Sequence, residues 1–293
     1  VVMPRVLGFT LYAAAVGLVH DLHAWRGLES GPVQWTGAFL ALLLVLRTNG
    51  GYERWWEARK LWGGIVNQSR NLAIAGLTYG PRDPAWRRRF AALVATFPHV
   101  CRESLRGSRE LGPIEPLLPE ELRGPLARVQ HMPTFVSQRI AAMLREALQR
   151  GAMEPLAFHS AERERAMLID HIGGCERILK TPLPRIHTIK LRRFILLYLL
   201  GLPVAVAGDA WWLPAIVTLF VSYALLAIDQ IAAELENPFS KRNLSHLPLE
   251  DIAATVEGNV LALLNDGGAR ELPRAELWRP VREERLPDSE RTH

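Results

Sequence analysis

The stretch LRTNGGYERWWEARKLWGG, residues 46–64, decides how this chain folds. It follows an uncharged apolar run, residues 32–46, and sets Arg47, Glu53, Arg54, Glu57, Arg59 and Lys60 among Tyr52, Trp55, Trp56 and Trp62. Residues four apart on a helix share a face, so one helix continued through Leu46 places Ala38, Leu42, Leu46 and then Arg54 on roughly one stripe. Such a helix keeps an apolar stripe inside a bilayer. It then emerges with Arg54, Glu57 and Arg59 free to pair with neighbouring turns or subunits, while the aromatics pack at the exit. The expectation is a helix leaving a membrane into a protein-lined space.

The rest of the chain fits that expectation. Of its 293 residues, 49% are hydrophobic and 22% charged. A disordered chain is poorer in apolar residues and a many-span transporter richer. The net charge is +5, with basic residues gathered beside apolar runs rather than in one block, which favours a membrane over nucleic acid. The apolar runs cover residues 6–19, 32–46, 194–207 and 211–228. Only the last approaches the ~18–20 residues that span a bilayer. The runs pair through short polar connections, so each pair is expected to be a helical hairpin. Residues 6–19 resemble a signal-peptide core, but no small-residue cleavage pattern follows at His20-Asp21, so a retained span is expected.

Basic residues set the orientation. Arg5 precedes the first run, Arg47, Arg54, Arg59 and Lys60 follow the second, and Lys190, Arg192 and Arg193 precede the third. Excess Lys and Arg mark the cytoplasmic side, so both termini and the middle of the chain are assigned to the cytoplasm. Trp25, Trp35, Trp211 and Trp212 fall at the opposite ends of the runs, where an aromatic belt sits. Between the hairpins, residues 84–107, 119–130, 133–151 and 160–180 have helical patterning. The first is basic and amphipathic, and the last has Ser160 as a cap candidate. Residues 247–266 form another amphipathic helix, and the tail from Arg274 is charged and loose or surface-bound. The expected division is 1–63 for the first hairpin with its exit helix, 64–193 for a cytoplasmic helical domain, 194–239 for the second hairpin and 240–293 for a C-terminal helix and tail.

Catalytic patterns are missing from the sequence. Gly50-Gly51 and Gly63-Gly64 lack phosphate-loop spacing, and no Gly-x-Ser-x-Gly occurs. His20 and His23 share a face but have no evident further ligands, and Asp170-His171 fits a polar pair between helices or at the surface. Cys101 and Cys175 form neither a disulfide framework nor a metal motif. No enzyme, cofactor or metal is expected. Asp229 and Glu234, leaving the fourth run, either solvate the helix end or line an ion path.

RTNGGYERWWEARKLWG (residues 47–63), CERILKTPLP (175–184), SYALLAIDQIAAELENPF (222–239) and LPLEDI (247–252) resemble, in order, the signatures of prokaryotic bestrophins. The motif positions are Arg47, Asn49, Tyr52, Arg54, Trp55, Glu57, Arg59 and Trp62. The resemblance implies an all-α, four-span membrane protein assembled as a homopentamer around one central pore in the bacterial inner membrane. It also implies a neck at Ala38, Leu42 and Leu46 and a cytoplasmic constriction at Leu183. Ala38 is smaller than the usual neck residue there, and Phe39 compensates if the register shifts. Animal members bind calcium through acids after NPF; here Ser240, Lys241 and Arg242 stand in that place, so no calcium clasp is expected. Small monovalent ions are the expected cargo, with a lean to cations such as sodium and anions such as chloride left open. A small helical-hairpin transporter and a peripheral α-helical binding protein are the alternative readings.

Overall fold

A computed structural model of the chain describes residues 2–23, 30–208 and 210–264, and among them every regular element is helical. The elements are α1 (Met3–His23), α2 (Ser30–Tyr79), α3 (Pro84–Arg106), a 3-10 turn (Gly112–Leu117), α4 (Glu120–Arg128), α5 (Met132–Gln149), α6 (Pro155–Lys180), α7 (Arg185–Val206), α8 (Leu213–Leu235) and α9 (Leu249–Ala262). The four apolar runs lie in α1, α2, α7 and α8, but the helices outgrow them. α2 continues for 33 residues past Leu46: residues 47–79 contain no proline, and the Gly50-Gly51 and Gly63-Gly64 pairs do not break it. Met3–His23 and Leu213–Leu235 are long and apolar enough to cross a membrane. In α7 the charged Lys190, Arg192 and Arg193 dilute the apolar run. The connection around Trp25, Asp209 itself and the tail from Arg274 lie outside the described residues.

The chain forms two compact units, Val1–Arg59 with Ile178–Leu247, and Lys60–Arg177 with Pro248–His293. Residues 178–193 and 240–247 therefore go with the apolar helices. The division expected from sequence followed hydropathy, and this one follows packing.

In the first unit α1 packs on α8 and α7, and α7 packs on α8. Their shared core joins Val6, Leu40, Leu44, Leu191, Ile195, Leu199, Leu225 and Leu226. Gly17 makes this packing possible: a Cβ there would overlap the Trp211 carbonyl oxygen at the start of α8. A Cβ at Gly37 would likewise meet the Tyr198 hydroxyl.

In the second unit α3 packs on α9, α5 and the 3-10 turn, and α4 on α5. The Asp83 side chain caps α3, accepting from the N–H groups of Ala85 and Trp86 at 3.0 and 3.3 Å. Gly107, at φ 68°, ends it in the left-handed conformation that favours glycine. The basic amphipathic patterning expected of α3 is present, but it does not leave an exposed face along the whole helix. Its basic residues gather at Arg87–Arg89, and from Phe90 to Glu103 every side is buried. The buried Arg102 and Glu103 pair with each other at 2.6 Å, and His99 meets Glu257 of α9 at 2.9 Å. Ser160 does not cap α6 either: the helix starts at Pro155, whose fixed φ suits a first turn, and Ser160 lies inside it.

Candidate functional site

α2 presents two unlike faces in the first unit. Leu40 and Leu44 are buried in the core. Trp35, Phe39, Leu42, Leu46 and Tyr52 are 80%, 60%, 55%, 59% and 53% exposed. Ala38 and Asn49 are exposed on the same side. Steps of three and four residues keep these positions aligned along one strip of the helix. All three neck candidates, and Phe39, thus share a face that the chain itself leaves uncovered. Arg54 departs from it. Each four-residue step rotates a helix position by about 40°, so by Arg54 the stripe has turned away.

Arg54 is half-buried and engaged rather than free to pair with charges. It donates to the carbonyl oxygens of Ile178, of Thr181 at 2.8 Å and of Glu236 at 3.4 Å. One guanidinium thereby ties the end of α6, the turn carrying Leu183 and the end of α8. Trp55 adds a fourth tie, donating its indole N–H to the Ser245 carbonyl at 2.7 Å. The segment after α8 is built by its own amides: Asn243 donates to the carbonyls of Glu234 and Asn237 at 2.9 Å, and Phe239 N–H donates to Asn237 at 3.1 Å. Three of the stretches singled out in the sequence therefore meet at Arg54. Tyr52, Trp55 and Trp56 stack in series with centroids 6.3 and 6.5 Å apart. Glu57 is half-buried and Arg59 exposed, while Trp62 is fully buried in the second unit.

Asp229 is neither solvated nor free. It is 6% exposed and shared by two arginines, Arg47 of α2 and Arg192 of α7, the latter at 3.0 Å. Arg47 also donates to Glu236 at 3.2 Å. Two guanidinium groups thus face two carboxylates, and the set balances, which is what burial of charge requires. Sequence reasoning marked Arg47 and Asp229 separately and took Arg192 only as an orientation signal. Partners 182 and 37 residues apart leave no spacing to detect. Glu234 is half-buried and accepts from Gln230 at 2.9 Å, one turn away.

Leu183 sits in the non-helical turn between α6 and α7, where flanking prolines exclude helix. It shares the wall of a cavity of about 510 Å³ with Leu46, Leu43, Leu191 and Phe194. The last neck candidate and the constriction candidate are therefore brought to one cavity. His23 Nδ1 lies 3.2 Å from the Val19 carbonyl oxygen, and His171 packs where a Cβ at Gly64 would otherwise stand. Among the described residues no cluster of His, Cys, Asp or Glu has the makings of a metal site.

Comparison with known proteins agrees with this picture. Residues 1–262 match the family model described as bacterial/fungal bestrophin protein. A Ralstonia nicotianae protein named voltage-dependent anion channel-forming protein is 30% identical over 90% of this chain and 87% of its own. Its Escherichia coli namesake YneE is 33% identical over 88% and 85%. The crystal structure of a bacterial bestrophin homologue from Klebsiella pneumoniae superposes with a TM-score of 0.81 at 25% identity, covering 90% of this chain and 97% of that one. With a family model spanning both compact units, the chain belongs to the bacterial and fungal bestrophin family.

Proposed function

We propose that the protein is a passive ion channel of the bacterial cell membrane, with five copies surrounding one pore. One observation carries this reading: α2 leaves Ala38, Phe39, Leu42 and Leu46 uncovered on one face while burying the opposite face in the core. Copies arranged about an axis along that face turn single side chains into apolar rings. Water leaves a narrow apolar ring, and a hydrated ion crosses only when the ring widens or wets. Leu183 supplies a second ring where five turns converge. In this arrangement residues 1–63 and 194–239 provide the spans, 64–193 and 240–293 lie mainly in the cytoplasm, and both termini are cytoplasmic by the positive-inside rule.

The cargo is a small monovalent ion. The lean towards cations comes from the family resemblance, whose prokaryotic members favour them, with Asp229 and Glu234 as support only if they face the pore. Asp229 is taken up by two arginines and so offers no free carboxylate to a cation, whereas Glu234 accepts only one hydrogen bond, from Gln230. The Ralstonia and Escherichia relatives are named for anions, which makes chloride the first ion to test. Purified protein in a planar bilayer under asymmetric potassium chloride is expected to give a reversal potential on the chloride side of zero. Leu42→Ala combined with Leu46→Ala is expected to raise conductance several-fold. Unchanged currents in that variant would retire the gate, and flux no faster than carrier turnover would retire the pore.

A further inference from the structure

The cavity bordered by Leu46 and Leu183 has a chemistry that ion conduction does not use. At about 510 Å³ it falls within the range of pockets that hold small molecules. Leu43, Leu191 and Phe194 give it apolar walls, and no carboxylate lines it. Its polar side chains are Arg47 of α2 and His187, Thr188 and Lys190 of α7. Arg47 is neutralised by Asp229 and Glu236. Lys190 and His187 are exposed, and among the described residues neither has an ion-pair partner. On α7 they precede Phe194 by one to two turns, so positive charge comes before grease along one helix. Phe194 is 55% exposed, which leaves the cavity open to the chain's surroundings.

We propose that this cavity binds an anionic phospholipid of the cytoplasmic leaflet. Its phosphate rests on Lys190 and His187, and an acyl chain runs along Leu43, Leu191 and Phe194. The proposal rests on the membrane reading given above, in which the start of α7 lies at the cytoplasmic face. Anionic lipid is found there, and basic pockets between spans on that side hold anionic headgroups. Because the cavity shares Leu46 with the neck and Leu183 with the constriction, an occupied pocket alters how far both side chains can move. The lipid is then a regulator of the pore.

The test uses the full chain, purified in detergent and stripped of co-purified lipid. It is titrated separately with palmitoyl-oleoyl phosphatidylglycerol and with the matching phosphatidylcholine, and bound lipid is counted by native mass spectrometry. Phosphatidylglycerol is expected to bind more tightly. Lys190→Glu is expected to weaken it about fivefold or more while leaving phosphatidylcholine unchanged. Phe194→Trp, which fills the cavity without changing charge, is expected to weaken both lipids, and Lys60→Glu, a residue that does not line the cavity, neither. Equal affinity for the two lipids, or a preference that survives both pocket variants, overturns the proposal. So does disulfide cross-linking of Phe194→Cys between copies, which would show a second chain in the cavity. Flux into vesicles separates the site from the channel reading. Lipid-selective binding with no flux keeps the site and retires the channel, whereas flux with no selective binding does the reverse.

Discussion

At the scale of single residues, two groups, one half-buried and one fully buried, define what the chain tolerates. Arg54 serves carbonyl oxygens rather than carboxylates, so its worth lies in the fork of donors and not only in its charge. Arg54→Met keeps the aliphatic stem and strands those acceptors. It is expected to lower stability by about 2–3 kcal/mol, read as an earlier thermal transition in detergent, with Arg54→Lys intermediate. That role was not legible beforehand, because backbone carbonyls have no signature in a sequence; only the presence of an arginine in an aromatic-rich stretch was. Cys101 is the second case. Burial, reinforced by Cys175 and Glu176, pushes its thiol well above the ordinary 9.0. The folded thiol keeps its proton where the unfolded one loses it, so its contribution is complete below the unfolded value and is lost as pH rises through the folded one. Maleimide is expected to leave Cys101 unlabelled in native protein at pH 8 and to label it in denaturant. Rapid native labelling would show that this part of the core opens.

At the scale of elements, hydropathy revealed the apolar runs but not the helices that carry them. Burial on every side cannot be read from a helix's own pattern, as in α3 from Phe90 to Glu103, and extent is hidden where charged turns flank greasy ones, as in α2 and α7. The apolar stripe of α2 was legible because Ala38, Leu42 and Leu46 repeat at four-residue intervals; its reading as a neck came only from the family resemblance. The Arg47–Asp229–Arg192 cluster was not, because its members come from three helices far apart in sequence. Helix contacts give a sharper prediction. α1 meets α8 where Gly17 leaves room for the Trp211 carbonyl, whereas nothing lies near a Cβ at Gly8 of the same helix. Gly17→Ala forces backbone apart and is expected to cost about 1–3 kcal/mol. Gly8→Ala is expected to be neutral or to stabilise by about 0.5–1 kcal/mol through helix propensity. Matching thermal shifts for the two would show that α1 is held by something other than this contact.

At the scale of the whole molecule, the question is what covers the apolar face of α2. Lipid, a neighbouring copy and a dewetted pore each satisfy a greasy surface, but they place equivalent side chains at different separations. Around a narrow axis, residue 42 of one copy comes beside residue 42 of the next, within the ~4.4–6.8 Å Cα separation that a disulfide needs. On a lipid-facing helix it does not. Leu42→Cys is therefore expected to form covalent dimers under mild oxidation in membranes, and no larger product, because one cysteine per chain joins only two chains. Leu11→Cys, on α1 and 72% exposed, is expected to stay monomeric on the same gel. The native cysteines do not confuse the assay, since Cys101 and Cys175 are both buried. Dimers from Leu11 but not Leu42 would place α1 at the axis and leave α2 facing lipid. The apolar strip would then be a membrane surface, and the gate would have to be sought elsewhere in the chain.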